Sequence, residues 1–102
     1  MIAPLLKPLD VLRRAPLKEK RSREWQEMLW KHWPTPADWP GSLDVYEAAA
    51  FKRISEDTIR AASRPGRDGR AKLRHQRFGA AYRYSKSDLD QYGRVEAREV
   101  MS

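Results

Sequence analysis

The spacing Asp44-x-x-Glu47, followed at once by a run of small apolar residues, constrains this chain more than any other feature. Asp44 offers an acceptor to the first free N–H groups of a helix, and Glu47 reaches back to the N–H of the cap. Val45 through Lys52 then reads as a short helix with an Ala48-Ala49-Ala50-Phe51 face. Ile54-Ser55 breaks that pattern, and Ser55 is placed to cap a second helix from Glu56 to about Ser63. Two helices of about two turns each, joined by a turn of about three residues, make a helix-turn-helix. The alanines matter because helices cross closely only where one of them lacks bulk.

After this the period changes. Leu73, His75 and Arg77 alternate with Arg74, Gln76 and Phe78; Gly79-Ala80-Ala81 interrupts, and Tyr82-Arg83-Tyr84-Ser85 resumes a strand-prone run. The expectation is a β-hairpin of about four residues per strand with Gly79 in its turn. Ser85-Lys86-Ser87-Asp88 restarts a helix carrying Leu89 and Tyr92 on one face, and Gly93 stops it. Helix, turn, helix, hairpin, helix is the order of a winged helix-turn-helix. The fold class expected is mainly α with a small β-hairpin wing (α+β), with an added helix on the N-terminal side.

Residues 43–92 resemble the winged-helix excisionase and MerR-like DNA-binding family. The likeness runs through Leu43, Glu47, Ala48, Ala49, Ile54, Ser55, Thr58, Ile59 and Arg60. It continues with Arg77, Phe78, Gly79, Tyr82, Arg83, Tyr84, Asp88, Leu89 and Tyr92. Three positions depart from the family's pattern. Arg53 stands where a glycine is usual, in a turn where φ above zero is expected. Ala80-Ala81 replaces an arginine-rich wing tip. The link Arg64-Pro65-Gly66-Arg67-Asp68-Gly69-Arg70 is longer than usual and reads as a mobile basic loop.

Charge is the most informative bulk property. The net charge is +7, from 21 basic and 14 acidic residues, and the pI is near 10.1. Between Arg60 and Lys86 lie seven Arg and two Lys against Asp68, so 9 − 1 gives +8 in that window. Arginine's planar fork suits phosphate oxygens, and focused positive charge fits a nucleic-acid footprint. There is no cysteine, so no disulfide or thiolate metal site is available. His32 and His75 have no neighbours at zinc-ligand spacing. No apolar run approaches the roughly 20 residues of a membrane span, and Met1–Leu6 is too short and proline-broken for a signal peptide. A soluble, cytoplasmic, nucleoid-associated protein is expected.

The expected division is an N-terminal segment 1–42, a winged domain 43–93 and a tail 94–102. Residues 1–21 read as a basic arm punctuated by Pro4, Pro8 and Pro16, with one helical piece from Leu9 to Arg14. In residues 22–33, Ser22 is a cap, and Trp25, Met28, Leu29 and Trp33 form one apolar stripe. That helix is read as a cover for the winged core or, alternatively, as a partner surface, since Trp is enriched at interface hot spots. Pro34 to Gly41 reads as a stiff extended linker in which Trp39 anchors on the core.

The resemblance implies that the second helix enters the major groove and that the wing meets the adjacent backbone or minor groove. Groove-facing candidates are Ser55, Glu56, Asp57, Arg60 and Ser63, with Ile59 and Ala62 turned to the core. Arg60 is the first choice for reading guanine, a contact worth roughly 1–3 kcal/mol. Arg64, Arg67, Arg74, Arg77 and Arg83 are the phosphate and wing candidates. No glycine-rich phosphate loop, carboxylate pair or nucleophile–base set appears, so no catalytic residue, metal, cofactor or small-molecule ligand is expected. The function implied is that of an excisionase, or recombination directionality factor. Such proteins bind clustered sites on double-stranded DNA beside copies of themselves, bend it, and favour integrase-driven excision of a phage or mobile element. Alternatives are a small winged-helix transcriptional regulator and, from another class, an interaction module docking through the Trp helix. A MerR-type effector sensor is disfavoured, because the long dimerising helix and ligand residues are missing.

Overall fold

In the computed structural model, residues 6–79 and 81–92 are described; the expected stop at Gly93 and the tail after it lie outside them. The chain forms two compact units, divided between Asp38 and Trp39.

The first unit is built on three helices: α1 (Leu9–Arg13), α2 (Leu17–Lys20) and α3 (Arg23–His32). Pro8 and Pro16 stand in extended conformation immediately before α1 and α2, where a missing N–H costs nothing. The segment read as an arm with a single helical piece thus holds a second short helix. Ser22 caps α3 by accepting from Trp25 N at 3.2 Å, and its hydroxyl donates to Glu19 O at 2.7 Å. Trp25 and Leu29 are buried, and Trp25 Nε1 donates to Leu12 O at 2.7 Å. The apolar stripe of α3 therefore covers α1 and α2 of its own unit. Residues 34–41 are not uniformly extended. Pro36–Asp38 makes a 3₁₀ turn, closed by the Asp38 carboxylate accepting from Thr35 N at 3.0 Å and Thr35 Oγ1 at 2.8 Å.

The second unit holds the helix-turn-helix: α4 (Val45–Lys52) and α5 (Glu56–Ser63). Asp44 and Glu47 form the capping box in full, at 2.7 Å and 2.9 Å. Ala48, Ala49 and Ala50 are all buried, which lets α5 lie close against α4. Arg53 takes the left-handed conformation (φ 57°, ψ 41°). Its N–H bonds Ala50 O while Ile54 N bonds Ala49 O, the paired closure that usually calls on glycine. Ser55 then caps α5, accepting from Thr58 N at 3.1 Å.

Strands β1 (Gln76–Phe78) and β2 (Ala81–Arg83) pair antiparallel, Gln76 with Arg83, Arg77 with Tyr82 and Phe78 with Ala81. Gly79 turns the hairpin at φ +62°. Each strand is three residues, shorter than expected, because the chain has other uses for the flanking positions. Leu73 N is bound by Ala62 O at 2.9 Å, and Tyr84 exchanges both backbone bonds with Leu43 at 2.8 Å. That bridge ties the hairpin to the residue just before α4. Helix α6 (residues 86–92) follows, with Ser85 Oγ accepting from Asp88 N at 3.0 Å. Leu43, Ile59, Leu73, Tyr84 and Leu89 are buried to within about a hundredth and form the core with the alanines of α4. A fully buried side chain of this size contributes about 1.5–3 kcal/mol. Trp39 is buried and meets Phe51 edge-on with ring centroids 5.2 Å apart, so it anchors as expected.

Candidate nucleic-acid interface

The capped N-terminus of α5 fixes which of its faces is outward. Ile59, Ala62 and Ser63 are buried, while Asp57, Thr58, Ala61 and Arg64 are exposed. Ser63 is therefore not a groove-facing residue. Its hydroxyl donates to Ile59 O at 2.7 Å and lies 2.7 Å from Tyr84 Oη, tying α5 to the end of the hairpin. Burial raises the Tyr84 pKa, against the lowering influence of the Ser63 bond and of Arg60. The phenol is accordingly neutral over the ordinary pH range.

Arg60 is engaged within the protein while its side chain stays 38% exposed. Its Nε donates to Glu56 Oε2 at 3.3 Å, its Nη2 to Tyr46 Oη at 3.2 Å, and its guanidinium lies 5.7 Å from the Tyr46 ring centroid. Burial opposes the charge of Arg60, but the bonds to Glu56 and Tyr46 outweigh it and its pKa is raised. Arg60 thus braces α5 against α4 and occupies Glu56 in doing so. Positions 56, 60 and 63 form one helical stripe, and positions 57, 61 and 64 form the next. Of the candidates on α5 and at its end, Asp57 and Arg64 are exposed, Glu56 and Arg60 half-buried and Ser63 buried. Ser55 is exposed, but its hydroxyl is engaged as the cap and lies 2.8 Å from Thr58 Oγ1. Asp57 is exposed in the first turn of α5, where the helix dipole favours an acid. Thr58 and Ala61, absent from the sequence candidates, sit at the centre of the outward face. A shallow depression of about 480 Å³ borders it, lined by Asp57, Thr58, Ala61, Arg64, Lys72 and Tyr92 among others.

Beyond α5 the chain carries a row of cations. The link 64–70 closes on itself rather than forming an open tether. Pro65 and Ala71 form a bridge, Gly66 N bonds Arg70 O at 2.8 Å, and Asp68 accepts from Arg70 N at 3.0 Å. Gly69 makes the turn at φ +77°. Arg64, Arg67, Arg70, Lys72 and Arg74 are all exposed, and no described carboxylate pairs with their side chains. Lys72 and Arg70 join the sequence candidates on this ground.

The wing arginines divide. Arg77 is exposed, with its guanidinium 5.8 Å from the Tyr82 ring centroid and its Nε donating to Gly79 O at 3.0 Å. Arg83 is half-buried and binds back to Ser42, through Nε to Oγ at 3.0 Å and through Nη2 to the carbonyl at 3.3 Å. It fastens the hairpin to the chain entering α4. His75 Nδ1 lies 3.0 Å from Leu73 O, and its ring meets Tyr82 edge-on at 4.7 Å. Among the described residues no His, Asp or Glu cluster is arranged to hold a metal, and no helix is long and apolar enough to cross a membrane.

No protein-family profile, curated protein or solved structure matches this chain.

Proposed function

We propose that this protein binds double-stranded DNA through α5 and the cationic row after it, and acts as an excisionase of a phage or mobile element. It would work without catalysis or cofactor, in the cytoplasm on the nucleoid, beside an integrase and further copies of itself. One observation carries the DNA-binding reading. The outward face of a capped helix, Asp57, Thr58, Ala61 and Arg64, is followed along the chain by the exposed Arg67, Arg70, Lys72 and Arg74, none of which forms a salt bridge with a described carboxylate. Such a surface draws phosphates to a helix small enough at Thr58 and Ala61 to approach base edges. The excisionase role in particular rests on the resemblance of residues 43–92 to that family. A small winged-helix regulator would use the same surface. The interaction-module reading is weaker, because Trp25 and Leu29 are spent inside their own unit.

Footprinting on the element's attachment region, with random DNA as competitor, tests this reading. An excisionase protects several adjacent sites in stepwise, cooperative fashion. Protection of one isolated palindromic operator would favour the regulator. Equal, steeply salt-dependent binding to both DNAs would leave only an electrostatic tether.

A further inference from the structure

The hairpin tip carries a large apolar side chain that the described residues leave mostly exposed. Phe78 is 63% exposed, the most exposed large hydrophobic residue described. Its cross-strand partner is Ala81 and its neighbour in the turn is Gly79, so no bulky side chain shields the ring from either position. The core is completed by Tyr84 and Leu73 without it. Gln76, on the same face of β1, is exposed as well.

The surroundings of this ring are cationic. Arg77 points to the other face of the hairpin, yet its Nε bond to Gly79 O brings the guanidinium to the turn itself. Arg74 is exposed just before the strand and has no carboxylate partner among the described residues. An apolar ring at the end of a narrow two-stranded projection, with arginine at its root, has the chemistry of a side chain inserted between base steps. In that mode arginine follows the negative potential of the minor groove while the apolar wedge partly unstacks the step and kinks the duplex.

We propose that Phe78 is a wedge that enters the minor groove of duplex DNA and bends it, with Arg77 as its electrostatic guide. The inference rests on the DNA-binding reading and adds to it the residue that deforms the DNA. It also accounts for a wing whose tip is Gly79-Ala80-Ala81 rather than arginine: small neighbours let the ring reach depth that a charged tip would not need. Pyrimidine–purine steps, which unstack easily, are the natural place for insertion.

The test uses the full chain and a duplex of about 30 bp rich in TA and CA steps, labelled at both ends for energy transfer. Anisotropy gives affinity and energy transfer gives bending, for the wild type, Phe78→Ala, Phe78→Leu and Phe78→Lys. The wild type is expected to bind and to raise transfer. Phe78→Ala should weaken binding by no more than about tenfold, the scale of one lost local contact, while losing most of the bend. Phe78→Leu keeps an apolar wedge and should keep much of the bend. Phe78→Lys should bind at least as well at low salt yet bend as little as the alanine variant. Because the ring is exposed, all three should keep the wild-type melting temperature. Wild-type binding without bending, or a bend unchanged in Phe78→Ala and Phe78→Lys, would overturn the wedge and leave DNA binding standing. Failure of the wild type to bind any duplex would overturn both. Self-association without DNA that Phe78→Ala abolishes, together with unchanged bending, would assign the ring to a second copy instead.

Discussion

Arg53 holds a backbone conformation that an L side chain adopts at a cost of roughly 1–2 kcal/mol. The double hydrogen bond to Ala49 and Ala50 keeps it there. Arg53→Gly should therefore raise stability by up to about 1 kcal/mol, the gain tempered by a more flexible unfolded chain; thermal or urea unfolding reads the change. Tyr84 makes the opposite kind of prediction, since its hydroxyl is buried against Ser63. Tyr84→Phe should cost about 0.5–1.5 kcal/mol near neutral pH. The folded-state pKa of Tyr84 is raised above its unfolded value. Its contribution is thus fully present below about pH 10 and is lost as pH rises through the folded pKa. Melting curves of the two proteins from pH 8 to 11 should converge. Parallel curves would show that the phenol is not the buried, neutral group described here.

At the scale of elements, the helix starts were the most legible part of the chain, because a cap is a local interaction. Asp44, Ser22, Ser55 and Ser85 each accept the bond their spacing implies. Ser55→Ala should destabilise the protein by about 1 kcal/mol and fray the first turn of α5, seen as faster amide exchange at Thr58. What local spacing could not resolve was the rotation of α5. Ser63 is polar and looked outward, yet it lies four residues after Ile59, on the same buried stripe, and its partner is Tyr84, far along the chain. Arg60 likewise reads as a free cation until Tyr46 on α4 is seen beneath it. The i, i+3, i+4 pattern of Ile59, Ala62 and Ser63 is the local signal that puts Ser63 on the buried stripe. The Leu43–Tyr84 bridge carries no local signal, because it pairs single residues rather than a run. The closed loop at 64–70 was foreshadowed by Pro65-Gly66 and Asp68-Gly69, the turn residues that now close it.

For the whole molecule, the charge excess between Arg60 and Lys86 becomes a surface once Arg60 and Arg83 are set aside as braces. The cations that remain exposed are those of the link and of the hairpin, with Lys86 half-buried on α6. Arg67→Ala and Lys72→Ala should each weaken binding to all duplexes alike and reduce the slope of log K against log salt by about 0.9. Neither should change the stability by more than about 0.5 kcal/mol. The central claim is that the face through Asp57, Ala61 and Arg64, and not the stripe through Glu56, Arg60 and Ser63, meets DNA. The measurement to make is the affinity of Ala61→Glu for duplex DNA across a salt series, beside the wild type and after its melting temperature is shown to be unchanged. A carboxylate at the centre of the interface should cut affinity by about 100-fold at low salt, since like charges placed together cost several kcal/mol. Wild-type affinity in Ala61→Glu would contradict the account and place the DNA elsewhere on the protein.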